Sequence, residues 1–274
     1  MNFLRRELAP ISPQGWSEID SVAKKALAAN LSGRKFVDVD GPHGLDYASV
    51  PLGRLTIPKK QEDATVRYGV HRVLPLVETR CDFSLPIWEL DNIERGAKDL
   101  NLDAVINSSR EIAAFEEKAI YEGFAPSSIV GLEQSVKSQR IQISLDINAV
   151  VDAVSKAKEQ MKKDGVGGPA NLVVSPTLWE FIAHNVPGGT LRSVIESEIG
   201  GHVIYAEFLK DALLVSNRGG DVELTVGQDF AIGYHSHTAA EISLFITESF
   251  TFRVIAPEAL VGFTGSSRSV VQKR

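Results

Sequence analysis

A single cysteine, Cys81, in 274 residues excludes an intramolecular disulfide framework and every zinc site built on paired cysteines. Stability has to come from packing. Long apolar runs are missing too: no stretch approaches the roughly 20 residues of a membrane span. The basic start MNFLRRELAP is followed by no signal-peptide core, so the expected address is the cytoplasm. Positive charge is in deficit, 29 Lys and Arg against 35 Asp and Glu for a net charge of −6. That offers nucleic acid or an anionic membrane no general attraction, so neither is an expected partner. With 22 Gly and 12 Pro the chain is neither collagen-like nor of low complexity. It also lacks GxGxxG, GxxxxGK(S/T), GxSxG and HExxH, the signatures of the commonest nucleotide, nucleophile and zinc enzymes.

What is present is periodicity. Trp16, Ile19, Val22, Ala26, Leu27 and Leu31 recur at helical spacing behind Ser12 and Pro13, which predicts a helix over 13–31 stopped by Gly33. The first 45 residues form an arm with little local burial, which predicts a partner surface for it. LGRLTI and VRYGVHRVLPLV flank a polar PKKQED segment, a long β-hairpin with its tip at Lys59 to Asp63. Two strands alone are marginal and call for completion by the fold or by a neighbouring chain. Helices are expected at 89–99, at 105–123 as a long spine, and from the N-cap Asp146 to Gly165. NLVVS, PTLWEFIAHN, Thr190 to Ile199, HVIYAE and ALLVS make residues 142–221 an α/β unit. VELTV, DFAIGY and a long ISLFITESFTFRVIA strand follow. The tail from Gly265 reads as mobile.

Candidate chemistry is thin. His235 and His237 share a strand face but have no third ligand, so the expectation is no metal site. Cys81 reads as a small strand residue rather than a nucleophile. Asp91 and Glu94 suit capping and a salt bridge with Arg95 better than acid catalysis. The glycines of DGVGGPAN follow a helix, the wrong order for a phosphate cradle. Trp88 and Trp179 are core or interface anchors, with Trp88 the one candidate for stacking a flavin. Glu248 breaks the apolar phase of its strand, as an outward bulge or as a carboxylate paired with a base, possibly on another chain.

Four separated blocks carry a resemblance: the arm FLRRELAPISPQGWSEID, GRKFVDVDGPHG, WELDNIERG, and RGGDVELTVGQDFAIGY with LFITESFTFRVIAPEAL. In this order they resemble the encapsulin shell proteins, also called linocin-like bacteriocins, over residues 1 to about 263. The resemblance implies an α+β, tailed-phage major-capsid-like fold. Its parts would be an N-terminal arm at 1–45, an extended hairpin loop at 46–82, a peripheral domain at 83–141 and 222–263, an axial α/β domain at 142–221, and a flexible tail at 264–274.

It further implies a non-enzymatic protomer of a closed icosahedral cytoplasmic compartment. Its partners would be many copies of itself and a cargo enzyme, a dye-decolourising peroxidase or a ferritin-like protein, recruited through a terminal peptide. By similarity that peptide lies on Leu27, Leu31, Arg34, Asp38, Phe230 and Ile232, which on the rival reading merely hold the arm down. The loop His184, Asn185, Val186, Pro187, Gly188 and Gly189 corresponds to a pore rim, with a plain surface turn as the rival. No cofactor is expected apart from the flavin option at Trp88. Two other classes stay in view: a secreted peptidase or bacteriocin-like factor, which would need a nucleophile and base, and a capsid packaging nucleic acid.

Overall fold

Ser12 starts the first helix by accepting a 3.0 Å hydrogen bond from the Gly15 amide, with Pro13 in the position where a missing N–H costs nothing. The computed structural model describes residues 3–61, 65–186 and 189–265. In chain order the elements are α1 (Pro13–Asn30), β1 (Asp38–Asp40), β2 (Ser49–Thr56), β3 (Val70–Pro75), β4 (Val77–Pro86), α2 (Ile87–Glu94) and α3 (Asp103–Tyr121). They continue with α4 (Leu132–Ser135), β5 (Ile141–Gln142), α5 (Ile147–Lys163), β6 (Ala170–Val174), α6 (Pro176–Ile182), β7 (Asn185–Val186) and β8 (Gly189–Thr190). The last are α7 (Leu191–Ile199), β9 (Val203–Tyr205), β10 (Ala212–Ser216), β11 (Val222–Val226), β12 (Ala231–His237), β13 (Glu241–Val254) and β14 (Leu260–Thr264).

The 14-residue β13 organises one sheet. Along one edge it pairs with β4 from Glu241 to Phe250; along the other it pairs first with β12 and then with β11, on which β1 lies parallel. The second sheet runs β5-β14-β10-β6-β9 and carries α5, α6 and α7 over a core that includes Val150, Val154, Leu172, Leu178, Ile195, Leu214 and Phe263. A shared core joins the sheets, with Phe250 and Phe252 of β13 meeting Val173, Leu213 and Val215 under Ile120 and Tyr121 of the spine helix α3.

Several expectations change here. The arm does not wait for another molecule: Ile19, Ala23, Leu27 and Leu31 are buried against α2, α3, β4 and β12 of the same chain. Helix α1 ends at Asn30, and Gly33 opens a short 3-10 turn instead of stopping the helix. A side chain at Gly33 would lie 2.7 Å from Ile120 Cδ1, so glycine is needed there for close approach to α3. The hairpin consists of β2 and β3; β4, which begins within the 46–82 stretch, belongs to the β13 sheet. Glu62 and Asp63 of its expected tip lie outside the described residues, as does the tail from 266. Strand β14, at the end of the 222–263 stretch, pairs with β10 in the α/β sheet. The sequence pattern could not show this, because pairing across 47 positions leaves no local periodicity.

The hairpin remains the part with least support. β2 and β3 pair only with each other, and Leu55, Ile57, Val66, Tyr68, Val70 and Val73 stay exposed. Gln61 clamps its distal end, donating to Tyr68 O at 2.8 Å and accepting from Tyr68 N at 2.9 Å.

Candidate functional site

Helix α1 buries Ile19, Ala23 and Leu27, which leaves Asp20, Lys24 and Ala28 along its flank. That flank and the segment Asp229–Ile232 entering β12 form a cleft of about 510 Å³, floored by Leu27, Leu31, Ile232 and Ile246. Arg6 reaches over one end, binding Asp20 through both guanidinium nitrogens at 3.1 and 2.7 Å and stacking on Trp16 at 3.9 Å. A cleft of equal volume beside the end of α5 is lined by Gly167 and Gly168 of DGVGGPAN and by none of the residues assigned to a peptide; its Lys158 is spent on the C-terminal carbonyls of α7, at 2.9 Å from Glu198 O.

Arg34 closes the other end of the groove. Its guanidinium lies 4.7 Å over the Phe230 ring and donates to Asp229 at 2.9 Å, to Glu116 of α3 at 2.6 Å, and to Glu248 of β13. Glu116 and Glu248 have fully buried side chains while the Arg34 side chain is 18% exposed, so one cation serves two buried carboxyls and a surface one. Burial lowers the Arg34 pKa, but bonding to Glu116 and the nearby charges outweigh it and hold it above its usual value. Burial, then the charge of Glu116, drives the Glu248 pKa well above the carboxylate range, which favours its neutral form. Glu248 is thus neither a bulge nor a partner for another chain; its base is Arg34 of the same chain.

Five of the six residues assigned to a peptide by resemblance, Leu27, Leu31, Arg34, Phe230 and Ile232, line this cleft together. Asp38 does not: its carboxylate accepts from the Gly220 amide at 2.6 Å and fastens β1 to the RGGD turn. Asp229 stands beside Arg34 at the polar end instead, with Glu116 and Glu248 buried behind the guanidinium. The signal for Glu116 was present, since it falls at i+4 from Ile112 and i−4 from Ile120 on the buried stripe of α3.

The other candidates are dispersed. His184 accepts the Leu191 amide at 3.0 Å through its carbonyl, and β7 pairs with β8, Asn185 with Thr190 and Val186 with Gly189. Pro187 and Gly188 lie outside the described residues. Trp88 is 74% exposed with Arg95 at 6.0 Å, so it is not a core residue, and it offers a flat ring one open stacking face without enclosure. Trp179 is partly buried against Tyr205 and Arg192. GYHSH is strand with a bulge: His235 is exposed and His237 Nδ1 meets the Tyr234 hydroxyl at 2.5 Å. Among the described residues no group of three or more His, Cys, Asp or Glu could hold a metal ion, and no helix is long and apolar enough to cross a membrane. Cys81 is half-buried on β4, where burial and a 3.4 Å contact with Glu111 push its thiol pKa up. Asp91 pairs with Arg95 at 3.5 Å, as the ion-pair reading expects; the capping reading changes, because both acids lie in the last turn of α2, where Glu94 accepts from the Ser12 hydroxyl.

Comparison with known proteins agrees with the architecture. A family model described as an encapsulating protein for peroxidase matches residues 1–251. A type 1 encapsulin shell protein of Rhodospirillum rubrum is 38% identical over 279 aligned residues, covering 99% of this chain and all of the relative. Among solved structures, a virus-like particle from Pyrococcus furiosus superposes with a TM-score of 0.64 at 14% identity, covering 90% of this chain and 98% of that one. The capsid of Myoviridae Phage XM1 does so at 0.51 and 13% identity, covering 86% and 92%. The α+β architecture is therefore the phage-capsid fold, and the chain belongs to the encapsulin shell proteins.

Proposed function

We propose that this chain is the protomer of a closed icosahedral compartment in the cytoplasm, and that it acts by enclosing an enzyme rather than by catalysis of its own. The observation that carries the cargo part is the convergence of Leu27, Leu31, Phe230 and Ile232 on one cleft, closed at its ends by the Arg6–Asp20 and Arg34–Asp229 pairs. An extended peptide of small apolar residues fits such a floor, and many weak copies on one inner wall add up to firm retention. The family description makes a peroxidase the leading cargo, with a ferritin-like enzyme second. The exposed apolar hairpin is the surface that neighbouring protomers would cover. The β7–β8 ribbon is the proposed rim of an opening for small solutes. Net charge of −6 gives a nucleic-acid cargo no support.

Size-exclusion chromatography and negative-stain imaging test the assembly: uniform hollow spheres are expected, and a monomer or dimer at working concentration rejects it. Ala28→Glu tests the cleft. Ala28 is exposed on the cleft wall, so the charge should leave the shells intact and abolish capture of co-expressed cargo. Undiminished loading overturns the assignment.

A further inference from the structure

Next to the Arg34 cluster lies a third buried carboxyl, Glu117, that the groove does not use. Its side chain is fully buried beneath the segment joining the arm helix to β1. Oε1 accepts the Gly33 amide at 2.8 Å and Oε2 accepts the Ser32 hydroxyl, which itself sits 2.7 Å from the buried Tyr121 hydroxyl. Gly33 lies so close that a side chain there would be 3.2 Å from Oε1. This backbone is the cover of the carboxyl.

Glu117 makes no ion pair among the described residues. The groups around it are Tyr121 and Glu116 on its own helix, Ser32 and Arg34 on the covering segment, and, beyond Glu116, Glu248 on β13 and Asp229 before β12. The one nearby cation, Arg34, already binds three of those carboxyls. A charge on Glu117 is thus held by the Ser32 hydroxyl and the Gly33 and Ser32 amides with no cation beside it, in a place water does not reach. Lifting residues 31–34 would return it to solvent.

We propose that the segment Leu31–Arg34 is a lid, tied to the spine helix by Arg34 and tuned by one proton on Glu117: held more tightly while the carboxyl is neutral, loosened as mildly alkaline medium ionises it. Burial, partly offset by Ser32 and Gly33, pushes Glu117 up to about 7, which places the response near neutrality. A proton bound more tightly under the closed lid than in the open one must favour closure. Leu31 and Arg34 also line the groove, yet the lid is a contact within one chain and does not depend on what the groove holds.

The test is amide hydrogen exchange of the assembled protein, read as protection of residues 31–36 relative to the intrinsic rate at each pH. Between pH 6 and pH 8 protection should fall about tenfold in the wild type. Glu117→Gln cannot ionise and should keep the pH 6 protection at both. Equal wild-type protection at the two pH values, or an undiminished response in Glu117→Gln, overturns the proposal. If that variant does not assemble, difference infrared spectra of the wild type decide: loss of a buried carboxylic-acid band between pH 6 and 8 supports the lid, and an unchanged band refutes it.

Discussion

The Asp38 carboxylate holds the Gly220 amide at 2.6 Å, across 182 positions of sequence. Gly219 and Gly220 both adopt positive φ, 81° and 78°, so the turn before β11 needs glycine and is tied down by this acceptor.

Asp38→Ala should therefore leave cargo capture unchanged and loosen the β1–β11 pairing, at a cost of about 1 kcal/mol for a solvent-accessible hydrogen bond. Asp229→Ala should do the reverse, weakening capture with little loss of stability. Pull-down of co-expressed cargo beside thermal unfolding of each variant separates them. Reduced loading with Asp38→Ala and normal loading with Asp229→Ala would return the polar end of the groove to Asp38.

Arg34→Ala removes the one cation that, among the described residues, pairs with the two buried carboxyls, and should destabilise the protomer by about 3–5 kcal/mol. Glu248→Gln keeps the shape of a neutral acid and should cost about 1 kcal/mol or less. Denaturant midpoints measure both. A Glu248→Gln loss as large as that of Arg34→Ala would mean that Glu248 carries charge in the fold.

Raised carboxyls also fix the sign of a pH dependence. Between the ordinary value of 4.5 and the folded value of about 7, Glu117 keeps a proton that the unfolded chain has released. Its contribution is fully present below pH 4.5 and drains away as pH climbs towards 7, for about 3 kcal/mol in all. Glu248, raised by burial too, adds a loss in the same direction. Against Glu117→Gln, which lacks the titration, wild-type stability should drop by roughly that amount between pH 5 and pH 8. Parallel profiles for the two proteins would remove Glu117 from the account.

Much of this was legible in the chain. Ser12, Asp146 and Thr190 each start a helix by accepting from the amide three residues on, and such signals are local. The period-two run of β13 gave its length and buried face, including the position of Glu248. The burial of the arm was not legible, because Ile19 and Leu27 meet strands that lie more than fifty residues later in the chain. Nor was the charge cluster. Arg34 sits 82 residues from Glu116 and 214 from Glu248, and only the folded sheet brings the three together. Five of the six residues named by resemblance line one cleft, and Asp38 lies apart from them, since its strand turns that carboxylate towards Gly220.

The β2–β3 finger leaves a cost in time as well as in structure. On the assembly proposed above, each newly made chain would carry tacky, half-paired strands until a neighbour covered them. Synthesis that outruns closure of the wall would end in precipitate, and a slow, steady supply of subunits would favour finished particles.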